Sequence, residues 1–323
     1  MRSFSITAVG DDPAFHDLDM PVAAQRQVVV AVSACGLNFA DLLMIDGRYQ
    51  EKPPLPLTLG MEIAGRVHAV GPGVMGLLPG DRVAAVPGSG GLAPYCAVDA
   101  ARCVPLPDTM SDVDAAAFQI AYGTSHLALT HRAALQPGER LLVLGAAGGV
   151  GLTAVELGAR LGAHVIACAR GDAKLEVARK AGARDVIDSD APDLTGRLKA
   201  MGGIDVIYDA VGDPLFSAAL RATRPGARVL VIGFAAGKVP QIPANYLLVK
   251  NITVHGIYWG GYLGFAPRTL TRSLGDLLAM YASGHIAPHV SHVLPLDRAA
   301  DGLALLRTRA STGKVVITVA PVS

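Results

Sequence analysis

The sequence is poor in cysteine and nearly balanced in charge. Its 4 cysteines among 323 residues form no Cys-x-x-Cys pair, so we expect free thiols and a reducing, cytoplasmic location. Lys and Arg total 28 against 27 Asp and Glu, a net charge of +1. The basic excess that nucleic acid or an anionic membrane surface attracts is therefore missing, and we expect no nucleic-acid partner.

Long apolar runs are also missing. The longest strongly apolar stretch without charge, Leu141 to Val155, is shorter than the roughly 20 residues that a membrane-spanning helix needs. The amino-terminal residues contain no apolar core before a cleavage site, so we expect no signal peptide and no membrane partner. The chain does contain 51% hydrophobic residues and 37 glycines, a composition typical of a folded globule with many tight connections.

The pattern of the sequence changes near residue 115. Before it, short β-rich runs alternate with proline and glycine, which is typical of a β-rich domain, and strands are predicted over 28–32, 63–70, 82–86 and 95–98. A helix is predicted over 115–134. Beyond it, apolar strands alternate with helices, the pattern of a parallel sheet covered on both faces. Strands of this sheet are predicted over 140–145, 165–169, 186–188, 205–209 and 228–233.

A glycine cluster follows the first strand of this alternating region. The spacing is Ala-x-Gly-x-x-Gly over residues 146–151, directly between a predicted strand and a predicted helix. Such a turn presents backbone N–H groups and a helix dipole to an anion, so we expect a dinucleotide pyrophosphate on Ala147, Gly148, Gly149 and Val150. The alternative is a glycine turn that serves only close packing. A P-loop is excluded because no Gly-Lys-Ser/Thr follows.

The end of the second strand of this region indicates which dinucleotide binds. An NAD site usually has Asp or Glu there, whereas this sequence has Ala169 followed by Arg170 and Lys174. A small neutral residue leaves room for a 2′-phosphate and two cations offset its charge, which favours NADPH. Asp172 favours NAD, unless its role is only to stabilise the start of a helix. The alternative for Arg170 and Lys174 is a pair of solvated surface side chains.

Motifs along nearly the whole chain resemble the zinc-independent, zeta-crystallin-like quinone oxidoreductases of the medium-chain dehydrogenase/reductase superfamily. They are GLNFAD (36–41), DGRY (46–49), PLTLGMEIAG (56–65), VGPGV (70–74), GDRV (80–83), AYGT (121–124), the glycine turn, DAVG (209–212) and STGK (311–314). The resemblance implies a doubly wound Rossmann parallel sheet, 118–264, inserted into a β-rich GroES-like catalytic domain, 1–117 and 265–323. It also implies a homodimer.

Zinc is not expected. Zinc-dependent relatives have Cys and His where this sequence has Asn38 and Met61, and an amide and a thioether are poor ligands for Zn²⁺. His285, His289 and His292 are the alternative ligand cluster. Their irregular spacing between prolines instead predicts a loop of solvated or packed histidines.

The resemblance also implies roles for residues of the catalytic domain. Asn38 is expected to donate to a substrate carbonyl or to the nicotinamide ribose, and Tyr49 is similar to a tyrosine of the substrate pocket. Asp41 is expected to hold the Asn38 loop rather than to transfer protons. Without a Lewis acid, the substrate must accept hydride unaided, which favours a small-molecule quinone or another conjugated carbonyl compound.

The remaining cofactor contacts follow from the resemblance as well. Thr124 is expected beside the nicotinamide, Val211 and Phe234 after the fourth and fifth strands, and Lys314 at a cofactor phosphate. Ser189 stands where relatives often have Tyr, which weakens one 2′-phosphate contact. The segment 258–262 is interpreted as a mobile loop on the substrate side.

The leading hypothesis is an NADPH-dependent quinone reductase. A 2-alkenal or enoyl-thioester double-bond reductase on the same scaffold is the alternative. A non-catalytic NADPH-binding protein is a third possibility, and the presence of Asn38, Tyr49 and Thr124 argues against it.

Overall fold

A computed structural model describes residues 1–319. Its strands are β1 Arg2–Ile6, β2 Ala14–Asp17, β3 Gln27–Leu37, β4 Leu57–Thr58, β5 Glu62–Val70, β6 Arg82–Ala85, β7 Tyr95–Asp99, β8 Cys103–Pro105, β9 Arg140–Leu144, β10 His164–Ala169, β11 Asp185–Asp188, β12 Ile204–Asp209, β13 Thr223–Val231, β14 Thr253–Gly256, β15 Val290–Pro295 and β16 Lys314–Thr318. Its α-helices are α1 Phe39–Ile45, α2 Asp112–Ala116, α3 Gln119–His126, α4 Gly149–Arg160, α5 Asp172–Lys180, α6 Leu194–Ala200, α7 Leu215–Arg221, α8 Ala244–Lys250, α9 Tyr262–Phe265, α10 Pro267–Ala282 and α11 Ala299–Arg307. None of the helices within residues 1–319 has the length and apolar character that crossing a membrane requires.

The described chain forms two compact units. We name the two units after the domains predicted above: the catalytic unit comprises Met1–Ile120 and the segment from Tyr281 onward, and the nucleotide unit comprises Ala121–Met280. The predicted boundaries at 117/118 and 264/265 stay predictions, and the last four residues of the predicted 265–323 segment lie outside the described residues.

The nucleotide unit is built on a six-stranded parallel sheet. Its strand order is β11-β10-β9-β12-β13-β14, the order of a doubly wound dinucleotide-binding sheet. The chain leaves β9 toward β10 on one side and later returns to β12 on the other, so ligands are expected at the carboxyl end of β9. Leu141 to Leu144 on β9 are 0% exposed, as a sheet covered on both faces requires. The five predicted strands of this region are confirmed.

The catalytic unit is β-rich. A seven-stranded sheet has the order β15-β16-β3-β5-β6-β8 with β7 also paired to β3, and a three-stranded sheet has the order β2-β1-β4. Most neighbours are antiparallel, while β15 and β16 are parallel. The apolar core packs Val30, Ile63, Leu92 and Ile317 from elements far apart in sequence. The predicted fold class is confirmed.

The helix predicted over 115–134 is interrupted in the structure. α2 ends at Ala116, α3 begins at Gln119, and a π-helical stretch follows over Leu127–Arg132. The buried carboxylate of Glu62 accepts a hydrogen bond from the Ile120 backbone N–H at 3.0 Å. An N–H in the first turn of a helix lacks an intrahelical acceptor, so this long-range contact stabilises a new helix start that local propensity does not show.

Candidate functional site

The glycine turn connects β9 to α4 in the nucleotide unit. Gly145 has φ +74°, and a Cβ at Gly151 would lie 2.1 Å from the Gly145 carbonyl oxygen. Gly148 differs, since it has φ −81° and a Cβ there would meet no atom closer than 3.4 Å. Glycine is therefore required at residue 151 for close packing, whereas the space beside Gly148 is open. The first turn of α4, with Gly149 and Val150, has N–H groups without intrahelical acceptors, and such groups suit an anion.

The carboxyl ends of β10 and β11 form a second part of the candidate site. Ala169 is 5% exposed and pairs with Asp188, and the Ser189 N–H donates to the Ala169 carbonyl at 3.0 Å. The parallel register therefore brings Arg170 and Ser189 to the same corner of the sheet. Lys174 follows in the first turn of α5.

Two aspartates of this corner were missed as site residues. Asp190 forms an ion pair with Arg170, in which Arg170 Nε lies 2.9 Å from Asp190 Oδ2. Asp188 accepts a hydrogen bond from the Gly171 N–H at 3.2 Å. The signal that marks them is the sequence Asp188-Ser189-Asp190 directly after a strand of the sheet.

The other predicted cofactor residues also lie in the nucleotide unit. Val211 follows β12, and its Cγ2 lies 2.9 Å from where a Cβ of Gly145 would be, so it borders the glycine turn. Phe234 follows β13 and is 37% exposed, while Thr124 lies on α3 and is 5% exposed.

The segment 258–262, interpreted as a mobile loop, contributes to the core. Trp259 is 6% and Tyr262 2% exposed, and α9 begins at Tyr262. A Cβ at Gly123 would lie 2.4 Å from Trp259 Nε1, so α3 accepts the indole ring only because residue 123 has no side chain. These aromatic residues anchor the segment through burial of apolar area, a contribution that sequence pattern did not reveal.

A buried polar cluster surrounds Asn38 in the catalytic unit. The Lys314 ammonium donates to Asn38 Oδ1 at 2.7 Å and to Glu62 Oε2 at 3.1 Å. The Asn38 Nδ2 group donates to the Gly36 carbonyl at 3.2 Å and to Glu62 Oε2 at 3.4 Å. Lysine is only a donor and carboxylate only an acceptor, so the orientation of the Asn38 amide is unambiguous.

Lys314 therefore has partners that the sequence did not indicate. The side chains of Lys314 and Glu62 are 5% and 0% exposed, which makes this a buried ion pair within the catalytic unit. The predicted contact of Lys314 with a cofactor phosphate stays a prediction, and the structure shows the ammonium engaged by Glu62 and Asn38. Glu62 was not predicted as a site residue, although it directly follows Met61 in the motif that carried the zinc argument.

Asp41 holds the backbone on both sides of this cluster. Its carboxylate accepts from the Asn38 N–H at 2.8 Å and from the Gly60 N–H at 3.0 Å. Burial raises the pKa of Asp41 to about 6, because desolvation outweighs the two N–H bonds that favour the charged form. The contacts are those of a residue that positions the Asn38 loop. Tyr49 lies in the same unit after α1, half-buried against the apolar core.

Asp41→Asn should be less stable than the natural chain at pH 4 by about 1–3 kcal/mol, since an amide leaves one buried N–H without an acceptor. The raised pKa means that the folded chain binds a proton more tightly than the unfolded chain, so the Asp41 contribution to stability falls as pH rises from about 4 to about 6. The stability difference between the two proteins should therefore narrow by about 2–3 kcal/mol between pH 4 and pH 7. Urea unfolding at both pH values measures it, with the exposed Asp46→Asn as the control. A difference independent of pH would contradict the raised pKa.

The histidines that offered an alternative ligand cluster have other partners. His285 Nδ1 lies 2.6 Å from Ser283 Oγ, His289 Nε2 lies 3.0 Å from Thr312 Oγ1, and His292 Nδ1 lies 2.9 Å from Ser291 Oγ. His292 lies on β15, so this part of the predicted loop is a strand, added by pairing with β16. Within residues 1–319, no group of three or more His, Cys, Asp or Glu side chains is arranged to hold a metal ion.

Two family models match the chain. Residues 24–108 match the alcohol dehydrogenase GroES-like domain, and residues 149–277 match the family described as zinc-binding dehydrogenase. The first lies in the catalytic unit and the second in the nucleotide unit.

Individual relatives match over most of their length. The chain is 40% identical over 296 residues to quinone oxidoreductase-like protein 2 of Bos taurus, covering 90% of this chain and 85% of that protein. The quinone oxidoreductase of Thermus thermophilus, solved also with NADPH, has a TM-score of 0.85 at 32% identity, with 98% of this chain and 100% of that chain covered.

The Escherichia coli quinone oxidoreductase complexed with NADPH has a TM-score of 0.90 at 29% identity, with 98% of this chain and 99% of that chain covered. These matches agree with the sheet order of the nucleotide unit and with the β-rich catalytic unit. The chain is therefore an oxidoreductase of the medium-chain dehydrogenase/reductase superfamily and belongs to its quinone oxidoreductase-like family.

Proposed function

We propose that this chain uses NADPH to reduce quinones and does so without zinc. The observation that carries the proposed zinc independence is the cluster of Asn38, Glu62 and Lys314. An ammonium 2.7 Å from Asn38 Oδ1 and 3.1 Å from Glu62 Oε2 already occupies these oxygens and balances the charge of Glu62, and it would repel a divalent cation on the same atoms. Relatives solved with NADPH support the choice of cofactor.

The residues of the nucleotide unit fit this dinucleotide. The open space beside Gly148 and the start of α4 suit a pyrophosphate, and Arg170 with Lys174 suits the charge of a 2′-phosphate. Thr124, Val211 and Phe234 are proposed to contact the rest of the cofactor. When bound, NADPH supplies a hydride from C4 of its nicotinamide ring.

The residues of the catalytic unit are proposed to bind and orient the substrate. The ion pair keeps the Asn38 amide in one orientation, and Asp41 holds the backbone N–H of the same residue. Tyr49 is proposed to donate a hydrogen bond from its hydroxyl group to a substrate carbonyl. With no Lewis acid to polarise a simple ketone, the substrate must delocalise the incoming negative charge onto oxygen, which a quinone does through conjugation.

The test is oxidation of NADPH by the purified chain with 1,4-benzoquinone, 9,10-phenanthrenequinone, crotonaldehyde and crotonyl-CoA, alongside metal analysis. We expect turnover with the quinones that persists after chelation and with substoichiometric zinc. Turnover restricted to crotonaldehyde or crotonyl-CoA would favour a double-bond reductase instead. Binding of NADPH without any turnover would favour a non-catalytic protein, and stoichiometric zinc would contradict the zinc-independent mechanism. A homodimer and a cytoplasmic location stay predictions.

Replacing Ala169 with aspartate should shift the cofactor preference toward NADH. Ala169 is 5% exposed at the end of β10, where a carboxylate repels a 2′-phosphate and accepts from a ribose 2′-hydroxyl. We expect the ratio of kcat/KM for NADPH to that for NADH to fall by about 10-fold or more. Ala169→Asn, of the same size but uncharged, is the matched control. An equal fall in that control would mean that size, not charge, decides.

A further inference from the structure

The corner that is proposed to receive the 2′-phosphate contains more acidic than basic side chains. Arg170 and Lys174 supply the cations, while Asp172 begins α5, Asp188 ends β11 and Asp190 follows two residues later. A phosphate monoester carries close to two negative charges at neutral pH, so each nearby carboxylate opposes its binding. The composition of this corner therefore differs from that of a site selected only for NADPH.

Asp190 is directed at one of the two cations. Its Oδ2 lies 2.9 Å from Arg170 Nε, and the two side chains are 60% and 63% exposed. The contact joins residues that follow adjacent parallel strands, since Ala169 on β10 pairs with Asp188 on β11. An exposed pair of this kind shifts an equilibrium by up to about fivefold, so a ligand can displace it at a modest cost.

The backbone around Asp190 is held in place. Asp188 Oδ1 accepts from the Asp190 N–H at 2.9 Å, while Asp188 Oδ2 accepts from the Gly171 N–H at 3.2 Å. The Ser189 N–H donates to the Ala169 carbonyl at 3.0 Å. These bonds tie the segment after β11 to the segment after β10, so Asp190 is kept within reach of Arg170 before any ligand arrives.

We propose that Asp190 is a specificity-determining residue that lowers the preference of this chain for NADPH over NADH. The inference rests on the proposed function, because it takes the dinucleotide to bind at the glycine turn. A 2′-phosphate must displace the Asp190 carboxylate from Arg170 or bind beside a like charge. NADH has a 2′-hydroxyl in place of that phosphate, so neither cost applies to it. The hydroxyl can also donate a hydrogen bond to a nearby carboxylate. Asp190 therefore weakens the binding of NADPH but not that of NADH.

The test is titration of the purified chain with NADPH and with NADH, followed by nucleotide fluorescence. Competition by 2′,5′-ADP and 5′-AMP isolates the 2′-phosphate contribution from the nicotinamide end. Asp190→Asn removes the charge and keeps the size. Glu176→Gln is the control for a general change in net charge, because Glu176 is an exposed carboxylate one turn after Asp172 on α5.

We expect Asp190→Asn to tighten the binding of NADPH and 2′,5′-ADP by about 3- to 5-fold and to change the binding of NADH and 5′-AMP by less than about twofold. Glu176→Gln should change the binding of both dinucleotides by less than about twofold, because the Glu176 carboxylate is exposed and pairs with Arg179 and Lys180 rather than with Arg170. In an Arg170→Gln background, Asp190→Asn should have a smaller effect, since the competition for the guanidinium is gone.

Three results would overturn the inference. The first is a NADPH to NADH affinity ratio that Asp190→Asn leaves unchanged, and the second is an equal gain in Glu176→Gln. The third is a chain that binds neither dinucleotide, which overturns the proposed function as well. The first two results leave the proposed function intact, because dinucleotide binding is then observed.

Discussion

Gly148→Asp is expected to remove NADPH binding while the chain stays folded. Gly148 has φ −81°, which any residue adopts, and a Cβ there meets nothing closer than 3.4 Å. The carboxylate would project into the open space at the start of α4, where the pyrophosphate is proposed to bind. The carboxylate would repel the pyrophosphate and keep it from the N–H groups of α4. We expect NADPH binding to weaken by about 100-fold or more.

Titration with NADPH measures this effect, and circular dichroism reports whether the fold is kept. Gly148→Asn is the matched control, because it has the same size without the charge and should lose less affinity. Gly151→Ala is a contrasting variant, since its Cβ would lie 2.1 Å from the Gly145 carbonyl oxygen and should reduce stability itself. Undiminished NADPH binding by Gly148→Asp would show that the dinucleotide does not bind at this turn.

Lys314→Met is expected to lower the free energy of unfolding by about 3–5 kcal/mol. The variant leaves Glu62, which is 0% exposed, without its counter-charge. Asn38 Oδ1 also loses the donor that orients its amide, since that oxygen accepts from Lys314 Nζ at 2.7 Å. Denaturant unfolding followed by circular dichroism measures the loss, and turnover of NADPH with a quinone should fall with it.

The double variant Lys314→Met with Glu62→Gln separates charge from shape. Glu62 Oε1 accepts a hydrogen bond from the Ile120 N–H at 3.0 Å. A glutamine at residue 62 keeps an oxygen for this bond but carries no charge. We expect the double variant to recover most of the stability lost by Lys314→Met, because the cost of a buried unpaired carboxylate disappears. Equal stability of the single and double variants would show that the ion pair is not what Lys314 contributes.

The parallel sheet of the nucleotide unit was predictable because its signal is local. Each strand is a short apolar run between turn residues, and β9 to β12 lie within a residue of the predicted ranges. β13 overlaps its predicted range but begins five residues earlier, at Thr223. The glycine turn was predictable for the same reason. The prediction of a continuous helix over 115–134 was wrong, because Glu62, which is distant in sequence, stabilises the start of a separate helix, α3.

The candidate site was predictable only in part. Asn38, Asp41 and the glycine turn lie in motifs that are recognisable as continuous stretches of sequence. Glu62 and Asp190 were overlooked as site residues. Asp190 stands in the sequence Asp-Ser-Asp after a strand, but nothing in the sequence identifies Arg170 as its partner or Lys314 as the partner of Glu62. Trp259 was assigned to a mobile loop, whereas its packing against Gly123 buries it.

The sequence by itself determined the class of the fold, the position of the glycine turn and the family, since each depends on hydrophobic period or on contiguous motifs. Only the tertiary structure decided that Lys314 meets Glu62, 252 positions earlier, and that Arg170 meets Asp190. The first contact depends on β16 pairing with β3 beside β5, and the second on the register of β10 with β11. Strand pairing brings together residues whose separation along the chain carries no local signal, so the electrostatics of both units emerge only once the sheets are formed.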